Sequence, residues 1–498
     1  MSTKKHLVVF SGGSAANNLI DVFKTLASKG NRALDFVLPI SDNGGSTSEI
    51  LRVFGGPGIG DVRSRLIRLV PEDTEDVELI AIKSLLNYRL PPSNDEARFE
   101  WLALVEGTHG LWKHISSEKR ELLRSFFVLL NLELLKRQRP KSSFNFHSAS
   151  IGNLFLTGAR IFFGSFESAI YLFRSITGIP ENVQVIPAIN SNFAHHIAAG
   201  LADKSVIIGQ NQISHPSNPS ALPIPAESQP SSKNGSEKDF DVFEEEPEEP
   251  EEDANLPGSL ASLRTQNIEF SKIEETAMPS RIERIWYINP YGQEIRPHAN
   301  PKVLTAIENS QAIIYSIGSL YTSLIPCLVL RNIGMALAAT GRNTPKILLL
   351  NGSHDRETGP DSASFTAAEF VRAVAQACAY SDSAFKDKEP KPQDWNRYLT
   401  HVIYLVGNGA PMVNDDELKA LGIDAFQVYG RRNPVEGRGM LYDSTALGQT
   451  LEMILAKRLR KAETRRMTMD TYYESPRGGD GSGGRNVNGN GWTAGKCT

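Results

Sequence analysis

Short apolar runs that end in glycine or polar loops recur along the chain, and each leads into a segment with helix-like spacing. Leu7-Val8-Val9-Phe10 gives way to Ser11-Gly12-Gly13-Ser14. Leu19, Ile20, Val22, Phe23 and Leu26 then mark one face of a helix over residues 15–28. The run 33–40 ends at Ser41-Asp42-Asn43-Gly44-Gly45-Ser46, and runs at 183–187, 312–317, 346–350 and 401–406 repeat the scheme. Each run is apolar on both sides, as strands are when helices cover both faces of their sheet. The alternation predicts an α/β fold: a Rossmann-like, doubly wound, mainly parallel sheet. Ligands of such sheets bind at the carboxyl ends of the strands, where these loops lie.

Three segments fall outside the alternation. Residues 72–147 read as helical throughout and predict an insertion beside the sheet. Residues 214–271 are rich in Pro, Ser and acids, with too few apolar groups to offset chain entropy, and predict a disordered linker. The Gly- and Asn-rich end predicts a disordered tail over 463–498. The sheet domain is therefore expected in three pieces, 1–71, 148–213 and 272–462. Residues 312–330 carry no charge over a span-like length, but their Ser, Gly, Thr and Pro content predicts strand, loop and buried helix instead of a membrane span. Asn414 and Glu417 have capping-box spacing, with Gly422 placed to stop a short helix.

Composition narrows the function classes. Formal net charge is −4, and the run from Glu244 to Asp253 holds eight acids, so the rest of the chain stands at −4 + 8 = +4. Neither value gives the dense basic surface that nucleic-acid binding needs. Cys327, Cys378 and Cys497 are scattered, which points away from disulfides and zinc and toward a reducing, cytoplasmic setting. The first apolar run is too short for a signal peptide.

Four loops can carry chemistry. Gly12, Gly13 and Ser14 follow a strand and precede a helix, so backbone N–H groups there can meet a phosphate; a tight turn explains the glycines equally well. In the second loop Asp42 can accept from ligand hydroxyls or hold Mg²⁺, and Asn43, Gly44 and Gly45 permit close approach. Ser46, three residues before Glu49, has capping-box spacing. In the third, Asp61 can cap a helix whose first turn presents Arg63 to an anion, with Arg65 and Arg68 read as a solvated basic face. The fourth, Gly318-Ser319-Leu320-Tyr321-Thr322-Ser323, offers hydroxyls and N–H groups to a diphosphate. His195-His196 lacks the further ligands of a metal site and reads as a structural pair. No GxSxG elbow and no dinucleotide fingerprint occur.

Together these loops resemble the CofD-like family, which includes 2-phospho-L-lactate transferase and the bacterial gluconeogenesis factor YvcK. Ser41 to Ser46 and Gly60-Asp61-Val62-Arg63 look like its Asp-Asp-Gly-Gly-Ser and Gly-Asp-x-Arg elements. Ile151-Gly152-Asn153-Leu154 is similar to its Gly-Asn-Leu segment, and Pro187-Ala188-Ile189-Asn190 to its Pro-x-Ser-Asn element. Gly318 to Pro326 resembles the YvcK-type nucleotide loop, and Glu357-Thr358 is a weaker, compatible element. The insertion and acidic linker lie outside the match and give the chain the look of a eukaryotic, fungal member.

The resemblance implies a ligand cleft holding a nucleotide sugar or another nucleotide-diphosphate-linked small molecule. Gly12, Gly13, Ser14, Asn43, Gly44, Gly45, Ser46, Gly152, Asn153, Asn190, Gly318, Ser319, Thr322 and Ser323 would line it. The YvcK-like loop favours a UDP-sugar-binding regulator of carbon metabolism. The alternative is an Mg²⁺-dependent, 2-phospho-L-lactate-transferase-like enzyme, with Asp42 on the metal and Asp42, Asp61 and Arg63 catalytic. Asn43 stands where the family has a second acid, which removes a charge from any metal site. Neither nucleic acid nor membrane is an expected partner; the assembly considered is a homodimer.

Overall fold

The computed structural model describes residues 5–12, 14–72, 75–138, 143–215, 260, 263, 277–361, 364–382, 389–434 and 439–456. Gly13, most of the expected linker, the acidic run and the expected tail, with Cys497, lie outside the described residues. The elements below belong to one compact unit, residues 1–454.

Seven parallel strands form the central sheet. In chain order they are β1 (His6–Phe10), β2 (Ala33–Leu38), β3 (Val183–Pro187), β8 (Ser310–Tyr315), β9 (Lys346–Leu349), β10 (His401–Tyr404) and β11 (Asp424–Gln427). Their spatial order is β11-β10-β9-β8-β1-β2-β3. Six correspond to the six apolar runs. The seventh, β11, is a short edge strand with polar ends, so no apolar run announced it. At the centre, Leu7 to Phe10 are wholly buried, in register with Leu34 to Val37 on one side and Ala312 to Tyr315 on the other. Residues 15–28, expected as one helix, divide into a 3₁₀ turn at Ala15–Leu19 and an α-helix at Ile20–Lys29.

A smaller antiparallel sheet was not expected. It comprises β4 (His196–Leu201), β5 (Val206–Ile208), β6 (Ile282–Ile288) and β7 (Glu294–Ile295), in the order β5-β4-β6-β7. A two-stranded ribbon, β12 (Gly430–Arg432) and β13 (Met440–Tyr442), completes the strands among the described residues. The segment 312–330 contains the end of β8, a π-helical turn at Leu320–Leu324 and a short helix at Ile325–Leu328. Among the described residues no helix is long and apolar enough to cross a membrane. Asn414 caps the helix Asp415–Ala420 through the Glu417 N–H, as its spacing predicted.

Helices Val77–Asn87, Asn94–Glu106 and Ser117–Arg137 make up the insertion. Trp101 packs edge-on to Phe127 and stacks on Phe146, while Phe126 and Phe127 meet Phe155 of helix Ile151–Phe163. That helix is buried from Ile151 to Arg160, and its Phe155 also meets Phe173 of helix Phe166–Ile176, so it packs between the insertion and that helix. Glu49, fully buried, joins the two regions. Its carboxylate accepts from Arg52 at 2.9 and 2.7 Å and from the Asn145 N–H at 2.7 Å, while Arg52 also donates to the Ser143 carbonyl. Ser46 therefore does not form the expected capping box with Glu49. Gly45, at φ 54°, is the cap residue, and Glu49 turns to Arg52 instead.

Removing one member of a buried pair leaves the other charge uncompensated. Arg52→Ala is expected to cost about 3–5 kcal/mol, read as a lower urea midpoint. A loss below about 1 kcal/mol would mean the pair is not what holds segment 143–145.

Candidate functional site

Strand β1 lies where the winding of the sheet reverses, with β2 and β3 to one side and β8 to β11 to the other. At such a switch point the connections leave in opposite directions and open a crevice above the carboxyl ends. Ser11 and Gly12 leave β1 there, beside Ser316 to Ser319 leaving β8; the Ser316 N–H donates to the Phe10 carbonyl at 2.9 Å. The two loops touch. A Cβ on Gly12 would lie 2.8 Å from the Ser323 Cβ, and one on Gly318 would lie 3.3 Å from the Gly12 carbonyl oxygen. Gly318 also has φ +144°, which side chains rarely adopt. Ser14 is exposed at the start of the following turn, and its side chain makes no cap bond.

The second and third loops interlock in the same way. Asp42 leaves β2, and its carboxylate accepts from the Gly44 N–H at 3.1 Å and from the Thr47 hydroxyl at 3.3 Å. A Cβ on Gly58 would fall 2.3 Å from the Asp42 carbonyl oxygen; one on Gly60 would fall 2.2 Å from Asp42 Oδ2. Glycine at these two positions is a packing requirement set by Asp42. Asp61 follows on the first turn of helix Gly60–Leu69. It does not cap that helix: the cap residue is Ile59, with no side-chain bond. Loss of solvation, reinforced by Asp61, pushes the Asp42 carboxyl up to about 7.

Arg63 is buried on that first turn and donates to Asn153 Oδ1 at 3.2 Å, its stem against Gly152. Asn153 in turn donates to Ser46 Oγ at 3.1 Å. Asp42, Ser46, Asp61, Arg63, Gly152 and Asn153 thus form one cluster at the starts of helices Ser46–Phe54, Gly60–Leu69 and Ile151–Phe163. Burial and Arg89 bring the Arg63 guanidinium down to about 10, which leaves it charged at neutral pH. The cluster pairs two carboxylates with one cation and three helix N-termini, a setting suited to a metal-bound or phosphate-bearing ligand.

Other expected residues stand differently. Asn43 is buried and accepts from the Asn211 N–H at 2.9 Å, so it anchors helix Gln210–Ser214. Asn190 is exposed beyond β3. Thr322 donates its hydroxyl to Glu357, and Ser323 backs onto Gly12. His196 begins β4 and His195 immediately precedes it; burial brings each down to about 4, so both are neutral at pH 7. Among the described residues no three His, Cys, Asp or Glu side chains group to hold a metal.

Two side chains go beyond the sequence reading. Arg65, expected on a solvated face, is fully buried. It donates to Ser11 Oγ at 3.1 Å and lies 4.8 Å over the Phe36 ring; its Nε and Nη1 reach no acceptor among the described residues. Its spacing from Val62, Leu66 and Leu69 puts it on the apolar face of the helix, and that was the available signal. Arg68 does face solvent, paired with Asp21 and Glu72. Glu357 is buried beneath the fourth loop and accepts from the Tyr321 N–H at 2.8 Å, the Thr322 N–H at 3.1 Å and the Thr322 hydroxyl. It fills the start of the π-helical turn with a carboxylate, so those two N–H groups are already committed.

Burial, then Asp355, pushes the Glu357 carboxyl up to about 8 from an ordinary 4.5. A raised folded-state value favours the protonated form, so its stabilisation is complete below about 4.5 and is lost as pH rises through about 8. Thermal melts should therefore show the wild type losing stability relative to Glu357→Gln across that window. A difference that stays flat with pH would contradict the assignment.

The family described as 2-phospho-L-lactate transferase CofD matches residues 7–428. The uncharacterized protein YNL011C of Saccharomyces cerevisiae is 41% identical over 433 residues, covering 85% of this chain and 95% of its own. A Nostoc sp. protein provisionally named gluconeogenesis factor is 32% identical over 161 residues, 30% of this chain and 34% of its own. The crystal structure of protein BH3568 from Bacillus halodurans shares the fold at a TM-score of 0.52 and 16% identity, covering 91% of this chain and all of that one. The chain belongs to the CofD family.

Proposed function

We propose that the switch-point cleft binds a nucleotide-diphosphate-linked sugar of the UDP-sugar type, and that the protein acts in the cytoplasm as a regulator of carbon metabolism. The observation that carries this reading is the contact between the Gly12 and Gly318 loops, with the Arg65 guanidinium directly beneath. Glycine backbone above a buried cation suits a diphosphate, which takes N–H donors and positive charge together. Gly12, Gly13, Ser14 and Ser319 would meet the phosphates, and Asn153 and Asn190 the sugar or base. Gly44 and Gly45 would permit close approach of the ligand to the backbone, while Gly152 makes room for the Arg63 stem. The name of the Nostoc relative supports the metabolic side.

A second reading, Mg²⁺-dependent transfer from a nucleotide-diphosphate donor, is favoured by one observation: two carboxylates, Asp42 and Asp61, stand together at the Gly60 end of helix Gly60–Leu69, near enough for Asp61 to add to the burial that raises Asp42. Two carboxylates suit Mg²⁺, which usually takes one or two from protein and fills the rest of its octahedron with water and phosphate oxygens. When bound, the ion would neutralise charge on the departing diphosphate. Arg63 would clamp a phosphate oxygen, held in place by Asn153, while Thr47 fixes one oxygen of Asp42.

Differential scanning fluorimetry tests the binding reading. At a hundred times Kd a ligand stabilises the folded state by about 2.7 kcal/mol, so UDP-sugars should raise Tm and Gly318→Val should abolish the rise. No shift with any nucleotide sugar would overturn it. For the transferase reading, Mg²⁺ should tighten donor binding and Asp42→Asn should lower turnover by about a hundredfold or more. Binding indifferent to Mg²⁺ and EDTA would remove that reading and leave the first intact.

A further inference from the structure

The start of helix Ile151–Phe163 holds more hydrogen-bond donors than its neighbours use. Its first N–H, that of Ile151, donates to the Tyr88 carbonyl at 3.0 Å. The Gly152 and Asn153 N–H groups come next. They lie too near the helix start for an intrahelical acceptor and meet no other among the described residues. Ser150, the cap residue, is wholly buried, and its hydroxyl makes no hydrogen bond there. Arg63 lies against this end: a Cβ on Gly152 would fall 3.0 Å from its Cγ and Cδ. Its Nε donates to Asn153, while Nη1 and Nη2 donate to nothing among the described residues.

A second guanidinium comes from the helical insertion. Arg89 is exposed, forms an antiparallel bridge with Ser150, and donates to the Ser148 carbonyl at 3.2 Å. No carboxylate pairs with it among the described residues. Of the charged side chains around Arg63, Arg89 exerts the strongest effect, ahead of Asp42 and Asp61. Both acids are also drawn elsewhere. Asp42 accepts from the Gly44 N–H and the Thr47 hydroxyl, and Asp61 is the foremost charged neighbour of Arg65. Two cations held together cost free energy, which an anion between them removes. Guanidinium forks match planar, two-oxygen groups, and unused N–H groups at a helix start add donors for the same charge. With Asp42 and Asp61 nearby, a singly charged carboxylate fits this position better than a dianionic phosphate.

We infer that Arg63 and Arg89, with the Gly152 and Asn153 N–H groups, receive a carboxylate carried on the part of the ligand beyond its diphosphate. The Gly12–Gly318 junction over Arg65 is left for the diphosphate itself. This assignment rests on the nucleotide-sugar reading of the cleft and narrows the ligand to an acidic nucleotide sugar. It also makes the insertion, through Arg89, part of the binding site.

Isothermal titration calorimetry of the full chain compares UDP-glucuronate, whose sugar carries a carboxylate, with UDP-glucose, whose sugar does not. The wild type should bind the acidic sugar about tenfold more tightly, the scale of one hydrogen bond to a charged group. Arg89→Gln should remove that preference. Arg89→Lys, which keeps the charge and loses the planar fork, should retain part of it. Arg89 is exposed, so neither change opens the core. Equal wild-type affinity for the two sugars would overturn this assignment and leave the nucleotide-sugar reading standing. A preference that survives Arg89→Gln would overturn it as well. Binding of neither sugar would overturn both.

Discussion

Gly12 is pressed on Ser323, and Gly318, at φ +144°, is pressed on the Gly12 carbonyl; the site is organised by that contact between the two loops. It joins the two halves of the sheet at the strand where the winding reverses. A side chain at Gly12 would strike Ser323 at 2.8 Å, so a larger residue must separate the loops or move the turn at Leu320–Leu324. The second and third loops repeat the device, with Gly58 and Gly60 pressed on Asp42. Glycine here serves close packing between loops as much as approach to a ligand, and both follow from the missing Cβ.

Charge is arranged around these contacts from below. Arg65 supports the first loop through Ser11, and Glu357 holds the fourth through two backbone N–H groups and a hydroxyl. One is a buried cation and the other a buried acid whose carboxyl favours the protonated form at neutral pH, so the charge in the floor of the cleft sits on the Arg65 side. An anionic ligand finds free positive charge toward Gly12 and Arg65, whereas the N–H groups of Tyr321 and Thr322 are already taken by Glu357. Asp42, Asp61 and Arg63 form a separate group on the β2 side. Helix Gln210–Ser214 lies near both: Asn43 holds it from the Asp42 loop, and Arg356, next to Glu357, donates to the carbonyl of Gln212.

Much of this was legible in the sequence, because parallel strands covered on both faces are locally apolar and end in local turn chemistry. Six strands and the four loops could be read that way, while the grouping of Asp42 with the Gly60 to Arg63 segment followed from the family resemblance. The antiparallel sheet could not. Ala198 pairs with Trp286 across an intervening segment of polar composition, and no local signal encodes that register. Arg65 misled because charge was weighed above helical phase. Glu357 reaches the fourth loop from 35 residues away, a tertiary contact that spacing alone does not reveal.

The claim that matters most is that the Gly12–Gly318 junction holds a nucleotide-diphosphate sugar. Native mass spectrometry of the protein as purified, and again after titration with UDP-sugars, measures it without assuming any reaction. The account predicts one nucleotide-sugar mass per chain, released on denaturation. A chain that takes up none of them, while its fold is intact by circular dichroism, would contradict it.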